Sequence, residues 1–143
     1  MKKPAVRVLV VDDFQPFREW VCLKLAEEVG FEVVGEAADT EQAFEKAREL
    51  IPDLILLDIG LSGVNGLEAQ TQLSRLNLPA EIVFLTEYSD RGAIECALSN
   101  GAGGYILKSD AERELLPALQ AVLNGADKVL SSGCYLAVNR VAF

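Results

Sequence analysis

Short apolar runs fall at Val6–Val11, Val33–Glu36, Leu54–Leu57, Ile82–Leu85 and Tyr105–Leu107, with longer stretches of helical spacing between them. A short run with almost no polar residue marks a strand buried on both faces. In the intervening stretches Phe17, Val21, Leu25 and Val29 share one helix face, as do Ala43, Ala47 and Leu50, and later Leu115, Leu119 and Val122. Strands that alternate with helices and have no solvent face fit a parallel sheet covered by helices on both sides.

The helix boundaries carry their own signals. Asp13 with Pro16 after it predicts a helix start, and Gly30 a helix stop. Asp39 with Gln42 and Ser109 with Glu112 have capping-box spacing, and Ser89 or Asp90 can cap the helix that ends before Gly101. Pro117 sits awkwardly in the last of these helices, where it removes a hydrogen bond or bends the axis. Right-handed crossovers leave few topologies for five βα units. The expected fold is α/β: a flavodoxin-like (βα)5 doubly wound parallel sheet, strand order 2-1-3-4-5. A ligand then belongs beyond the carboxyl ends of the strands, where the winding direction switches.

Those ends are rich in acids. The first strand runs into Asp12 and Asp13, the third into Asp58, the fourth ends at Thr86 and the fifth at Lys108. In the expected order these side chains converge on one pocket. Three carboxylates held together repel one another, and a divalent cation relieves that repulsion. All-oxygen ligation with open water positions suits Mg²⁺. An Asp after a strand is, taken singly, more often a helix cap, and that reading is strong for Asp13. Five such residues at corresponding strand ends point instead to phosphoryl transfer onto a carboxylate. Mg²⁺ on Asp12 and Asp13, the Lys108 ammonium and the Thr86 hydroxyl would each take charge from the phosphoryl oxygens, and Asp58 would be the nucleophile.

Composition narrows the partners. The chain has 143 residues, enough for one domain with a real core, and no histidine. Histidine-based phosphotransfer within the chain, Ser-His-Asp hydrolysis and His-ligated metals are thereby excluded, so the phosphoryl donor comes from outside. A net charge of −9 argues against binding of nucleic acid or anionic membrane by this chain itself. Cys22, Cys96 and Cys134 are far apart and form no CxxC pair, so buried, reduced thiols of a cytoplasmic protein are expected. The apolar run in MKKPAVRVLVVDDF is too short for a signal peptide or a membrane span.

The pieces VLVVDDF, DLILLDIGLSGVNGLE, FLTE and GYILK, in this order and spacing, resemble a receiver domain of two-component response regulators, over roughly Val6 to Gly125. The resemblance implies that Asp12 and Asp13 bind Mg²⁺ with Asp58 and the backbone carbonyl of Gly60. It implies that Asp58 accepts phosphate from a sensor histidine kinase, that Thr86 and Lys108 contact the phosphoryl group, and that Tyr105 is a switch aromatic acting with Thr86. The activity implied is the chain's own phosphorylation and dephosphorylation, not catalysis on other molecules. Three positions depart from the family pattern. Ser62 and Ser109 stand where proline is common, and Glu87 follows Thr86 where a small residue is preferred; an acid there could repel a donor or cover the site.

The stretch LLPALQAVLNGADKVLSSGCYLAVNRVAF is similar to the end of receivers in NarL/LuxR-type regulators, ahead of a DNA-binding domain. Residues 1–125 are expected to be the receiver and 126–143 an extension, or the start of a linker to an output domain outside this chain, with a sixth helix over Cys134 to Val141. Regulation of transcription would then run through that output domain, and a homodimer on phosphorylation is left open. The alternative is a stand-alone or degenerate receiver acting as a protein-binding module. A flavin carrier of the same architecture is disfavoured because DDFQP would repel its phosphate. A phosphatase with an Asp nucleophile would need D-x-D after the first strand.

Overall fold

The structure, a computed structural model, describes residues 4–61 and 63–139. Ser62 lies outside these, as do positions 140 and 141 of the expected sixth helix. The elements are β1 (Val6–Val11), α1 (Gln15–Ala26), β2 (Phe31–Ala37), α2 (Thr40–Leu50), β3 (Leu54–Leu57), α3 (Gly66–Ser74), β4 (Glu81–Thr86), α4 (Arg91–Ser99), β5 (Gly104–Leu107), α5 (Ala111–Leu123), β6 (Val129–Leu130) and α6 (Ser132–Asn139). The sheet is parallel throughout, in the order β2-β1-β3-β4-β5-β6. The expected order of the first five strands holds, and β6 extends it by one edge.

Successive side chains along a strand point to opposite faces, and each face has its own core. Leu9, Val11, Ile55, Leu57, Phe84 and Tyr105 pack with α2, α3 and α4. Val8, Val10, Leu54, Leu56, Val83 and Ile106 pack with α1 and α5. Both sets are buried, which is why these strands tolerate no alternation with polar residues.

The caps follow the sequence only in part. Asp39 Oδ1 accepts from Gln42 N at 2.8 Å, and the Gln42 side chain turns back to Ala38 N at 2.9 Å. Asp90, not Ser89, caps α4 through Ala93 N. Asp13 does not cap α1: the N-cap position is Phe14, and it is Asp12 Oδ1 that accepts the Phe14 amide, at 2.8 Å. Nor does Gly30 stop α1. The helix ends at Ala26, with Glu28 N bonding back to Leu25 O in a tightened last turn. Val29 is therefore wholly in solvent, and Gly30, at φ +106°, turns the chain into β2. Ser109 forms no capping box with Glu112. It lies in a short 3-10 turn, Lys108–Asp110, that leads into α5. Pro117 is inside α5 on its exposed side, where water can satisfy the carbonyl that loses its partner.

The tail joins the fold. Val129 N bonds Gly103 O at 3.0 Å, and Ser131 N bonds Tyr105 O at 3.1 Å. Ser131 and Cys134 are buried, and α6 starts two residues earlier than expected. All three cysteines are free, but only Cys134 is buried; Cys22 is half-buried, and Cys96 is exposed on α4, contrary to expectation.

One glycine fixes the loop after β3. A Cβ on Gly66 would lie 2.1 Å from the carbonyl oxygen of Asp58 and 2.6 Å from Ile59 Cα, while Gly66 N donates to Ile59 O at 2.8 Å. The N-terminus of α3 thus rests directly on the Asp58 backbone. Gly66→Ala should lower stability by about 1–3 kcal/mol through backbone displacement, read as a lower urea midpoint with little change in slope.

Candidate functional site

Parallel pairing brings the strand ends to one edge. Val11 is in register with Leu57, Leu57 with Phe84, and Thr86 with Leu107. The residues that follow therefore emerge side by side. Asp12 N bonds Ala37 O at 3.0 Å and Asp58 N bonds Val11 O at 3.1 Å, so sheet-type pairing carries the two aspartates into position.

Lys108 draws them together. Its Nζ lies 2.8 Å from Asp12 Oδ2 and 3.0 Å from Asp58 Oδ2, with all three side chains about nine-tenths buried. The ammonium also sits 4.6 Å from the centre of the Phe17 ring. Asp58 Oδ1 accepts from Gly60 N at 3.2 Å. Burial pushes the Asp12 carboxyl above its ordinary range against the pull of Lys108. Burial opposes the charged form of Lys108 too, but its bonds to Asp12 and Asp58 outweigh this and raise its pKa.

Asp13 completes the acid set. One ligand oxygen from each of Asp12, Asp13 and Asp58 can be chosen so that all lie within 4.8 Å of one another. Two are buried and one exposed, at the rim of a cavity of about 270 Å³ lined by Asp13, Phe14, Asp58, Gly60, Glu87, Tyr88 and Lys108. All-oxygen donors open to solvent on one side fit a hard divalent cation such as Mg²⁺. A larger groove, about 420 Å³, lies between α2 and α3 around Thr40, Phe44, Arg48 and Val64. It holds no convergence of strand ends, and we place no chemistry there.

Two expected residues stand differently from the rest. Thr86 is fully buried and does not line the cavity; its Oγ1 faces the Tyr88 amide at 3.5 Å. Tyr105 is fully buried, its ring 5.8 Å from that of Phe84 and its hydroxyl donating to the Tyr88 carbonyl at 2.5 Å. Burial raises its phenol pKa.

Sequence reasoning missed Tyr88 and Arg18. Tyr88 packs over Gly60, where an added Cβ would come within 3.2 Å of its ring, and so covers part of the mouth. Its one signal is an aromatic two residues after Thr86 in a loop. Arg18 donates to the Asp12 carbonyl at 2.6 Å and pairs with Glu36 at 3.0 Å, fixing the β1–α1 loop. Nothing in the spacing marks that pair, because Glu36 lies on another strand.

Known proteins resemble this chain in sequence and in fold. Residues 8–120 match the response regulator receiver domain family. The chain is 37% identical over 120 residues to the response regulator GacA of Pseudomonas viridiflava, covering 84% of this chain and 56% of that one. It is 36% identical over 120 residues to the transcriptional regulatory protein DegU of Brevibacillus brevis, covering 84% and 51%. The chain spans little more than half the length of these curated relatives. Among solved structures, a LuxR-family two-component response regulator from Aurantimonas sp. superposes with a TM-score of 0.88 at 30% identity, covering 94% of this chain and 95% of that one. The signal receiver domain of the putative regulator NarL from Mycobacterium tuberculosis gives 0.80 at 31%, covering 86% and 99%. A sheet that gathers Asp12, Asp58 and Lys108 at one edge and a family match over most of its length lead to one conclusion: the chain belongs to the response regulator receiver domain family, and its relatives are regulators of the NarL/LuxR type.

Proposed function

We propose that this chain is a phosphoacceptor switch, taking a phosphoryl group from the phosphohistidine of a sensor kinase onto Asp58. The observation that carries the reading is the single ammonium of Lys108 within hydrogen-bond distance of both Asp12 and Asp58 at the edge of an acid-lined cavity. In the transfer, a carboxylate oxygen of Asp58 forms a bond to phosphorus as the bond from phosphorus to the donor breaks, and the donor leaves with that electron pair. The product is an acyl phosphate. Lys108 neutralises charge on one phosphoryl oxygen, and the Gly60 amide, already beside Asp58, is placed to donate to the acceptor carboxylate. Asp12 and Asp13, with Asp58 and the Gly60 carbonyl, would hold Mg²⁺. Bound there, the cation supplies charge neutralisation between carboxylates and phosphoryl oxygens.

The Thr86 hydroxyl would turn from the Tyr88 amide toward the phosphoryl group. The β4–α4 loop would move with it, and the Tyr105 hydroxyl bond to Tyr88 would carry that change to β5. The output we assign is regulation of transcription, through a DNA-binding part beyond this chain of the kind its regulator relatives imply, with pairing of two copies on phosphorylation. Two-component partners place this activity in the cytoplasm. Among the described residues no helix is long and apolar enough to cross a membrane. The chain's own phosphorylation and dephosphorylation are its whole chemistry in this reading.

Acetyl phosphate with Mg²⁺ should add one phosphoryl group, labile in base, as read by intact mass. Asp58→Asn should abolish it; an adduct that persists in that variant would move the site elsewhere.

Mg²⁺ should stabilise the fold by about 1.4 kcal/mol at a tenfold excess over its Kd, and Asp13→Asn should erase the Mg²⁺-dependent shift in Tm. An unchanged shift would remove Asp13 from the metal site.

Glu87 is exposed at the cavity rim. Glu87→Ala should speed labelling by a small anionic donor, and equal rates would show that the acid does not obstruct entry.

A further inference from the structure

The tail does not line the cavity, yet it is bonded to the segment that supplies the cavity's cation. Residues 105–110 run continuously from Tyr105 in β5 through Lys108 to Asp110 at the end of the 3-10 turn. One flank of this segment delivers the Lys108 ammonium to Asp12 and Asp58. The other flank is held by the tail. The Tyr105 carbonyl accepts from Ser131 N at 3.1 Å and from Cys134 Sγ at 3.4 Å. Ser131 Oγ accepts from Leu107 N at 2.9 Å, and Asp110 Oδ2 accepts from Gly133 N at 2.8 Å. Glu114 on α5 clasps the start of α6 from outside, its Oε1 accepting from Ser132 N at 2.9 Å and Ser132 Oγ at 3.0 Å.

These bonds set where the Lys108 backbone lies. The Leu107 amide is buried and directly precedes Lys108, and without the Ser131 hydroxyl it would lose its partner. We propose that the β6–α6 tail is a positioning element for Lys108, acting chiefly through Ser131, so that docking of the tail and a phosphoryl group on Asp58 favour one another. This rests on the phosphoacceptor reading of Asp58. A phosphoryl group adds negative charge beside Lys108, and so favours the backbone placement that the docked tail already holds. Because linkage between two equilibria is reciprocal, a tail that helps to place Lys108 must itself be held more firmly once Asp58 is phosphorylated.

Cys134 reports the docking. It is fully buried and so reacts only when the tail opens, whereas exposed Cys96 calibrates the reagent. The full chain is treated with iodoacetamide, with and without acetyl phosphate and Mg²⁺, and each cysteine is followed by peptide mass spectrometry. Phosphorylation should slow alkylation of Cys134 about fivefold or more, the lower end of ordinary coupling. Ser131→Ala should speed it without donor and lower the phosphorylated fraction at limiting acetyl phosphate. Glu114→Ala, which loosens the clasp from the surface, should act in the same two directions if Ser131→Ala folds poorly. A tail that merely packs gives the same Cys134 rate with and without the phosphoryl group. That result overturns the proposal, as does faster alkylation on phosphorylation. A wild type that takes up no phosphoryl group at all is a separate outcome, and it overturns the reading of Asp58 itself.

Discussion

One ammonium between two nearly buried carboxylates organises the whole carboxyl edge of the sheet. Asp12 and Asp58 sit where water is scarce, and each would be expensive to bury alone. Lys108 pairs with both, and its ammonium lies over the Phe17 ring of α1. The arrangement ties β1, β3 and β5 together beyond their last ladder hydrogen bonds. It also remains acid-rich, since Asp13 brings a third carboxylate to the cluster. A purely structural ion pair needs no third acid at an open rim. A site of the kind proposed above, holding a cation and an anionic group together, would use it.

Asp58 is held from beneath as well as from across. The close approach of Gly66 to the Asp58 carbonyl seats the start of α3 against the backbone of Asp58 itself. Tyr88 leans over Gly60 from the β4–α4 loop, and its carbonyl takes the Tyr105 hydroxyl. The floor of the cavity is therefore closely packed backbone, and its roof is a loop whose bond runs to the hydroxyl of the fully buried Tyr105.

How far the sequence could be read depended on whether each signal was local. Strands β1, β3, β4 and β5 were legible because burial on both faces leaves no room for polar residues. Asp12, Asp58 and Lys108 were legible because each directly follows such a run. Asp39 and Asp90 cap helices through amides three residues away, so spacing revealed them. Asp110 did not act as a local cap because its carboxylate bonds Gly133, a partner 23 residues on that no spacing rule anticipates. Strand β6 has two residues and no periodicity, and exists only because β5 offers it an edge. The place of Tyr105 could not be read either, since a buried tyrosine depends on which carbonyl meets its hydroxyl.

The two outer strands also govern how copies of this chain can meet. An uncovered strand invites edge-to-edge pairing, and proteins blunt it with charge or brevity. Here β2 carries Glu32 and Glu36 at exposed positions along one border. At the other border β6 offers only Val129 and Leu130, with Lys128 just before them. Among the described residues neither border is a template for runaway sheet growth, which leaves the helical faces as the surfaces where contacts between copies could form and dissolve without recruiting a third chain.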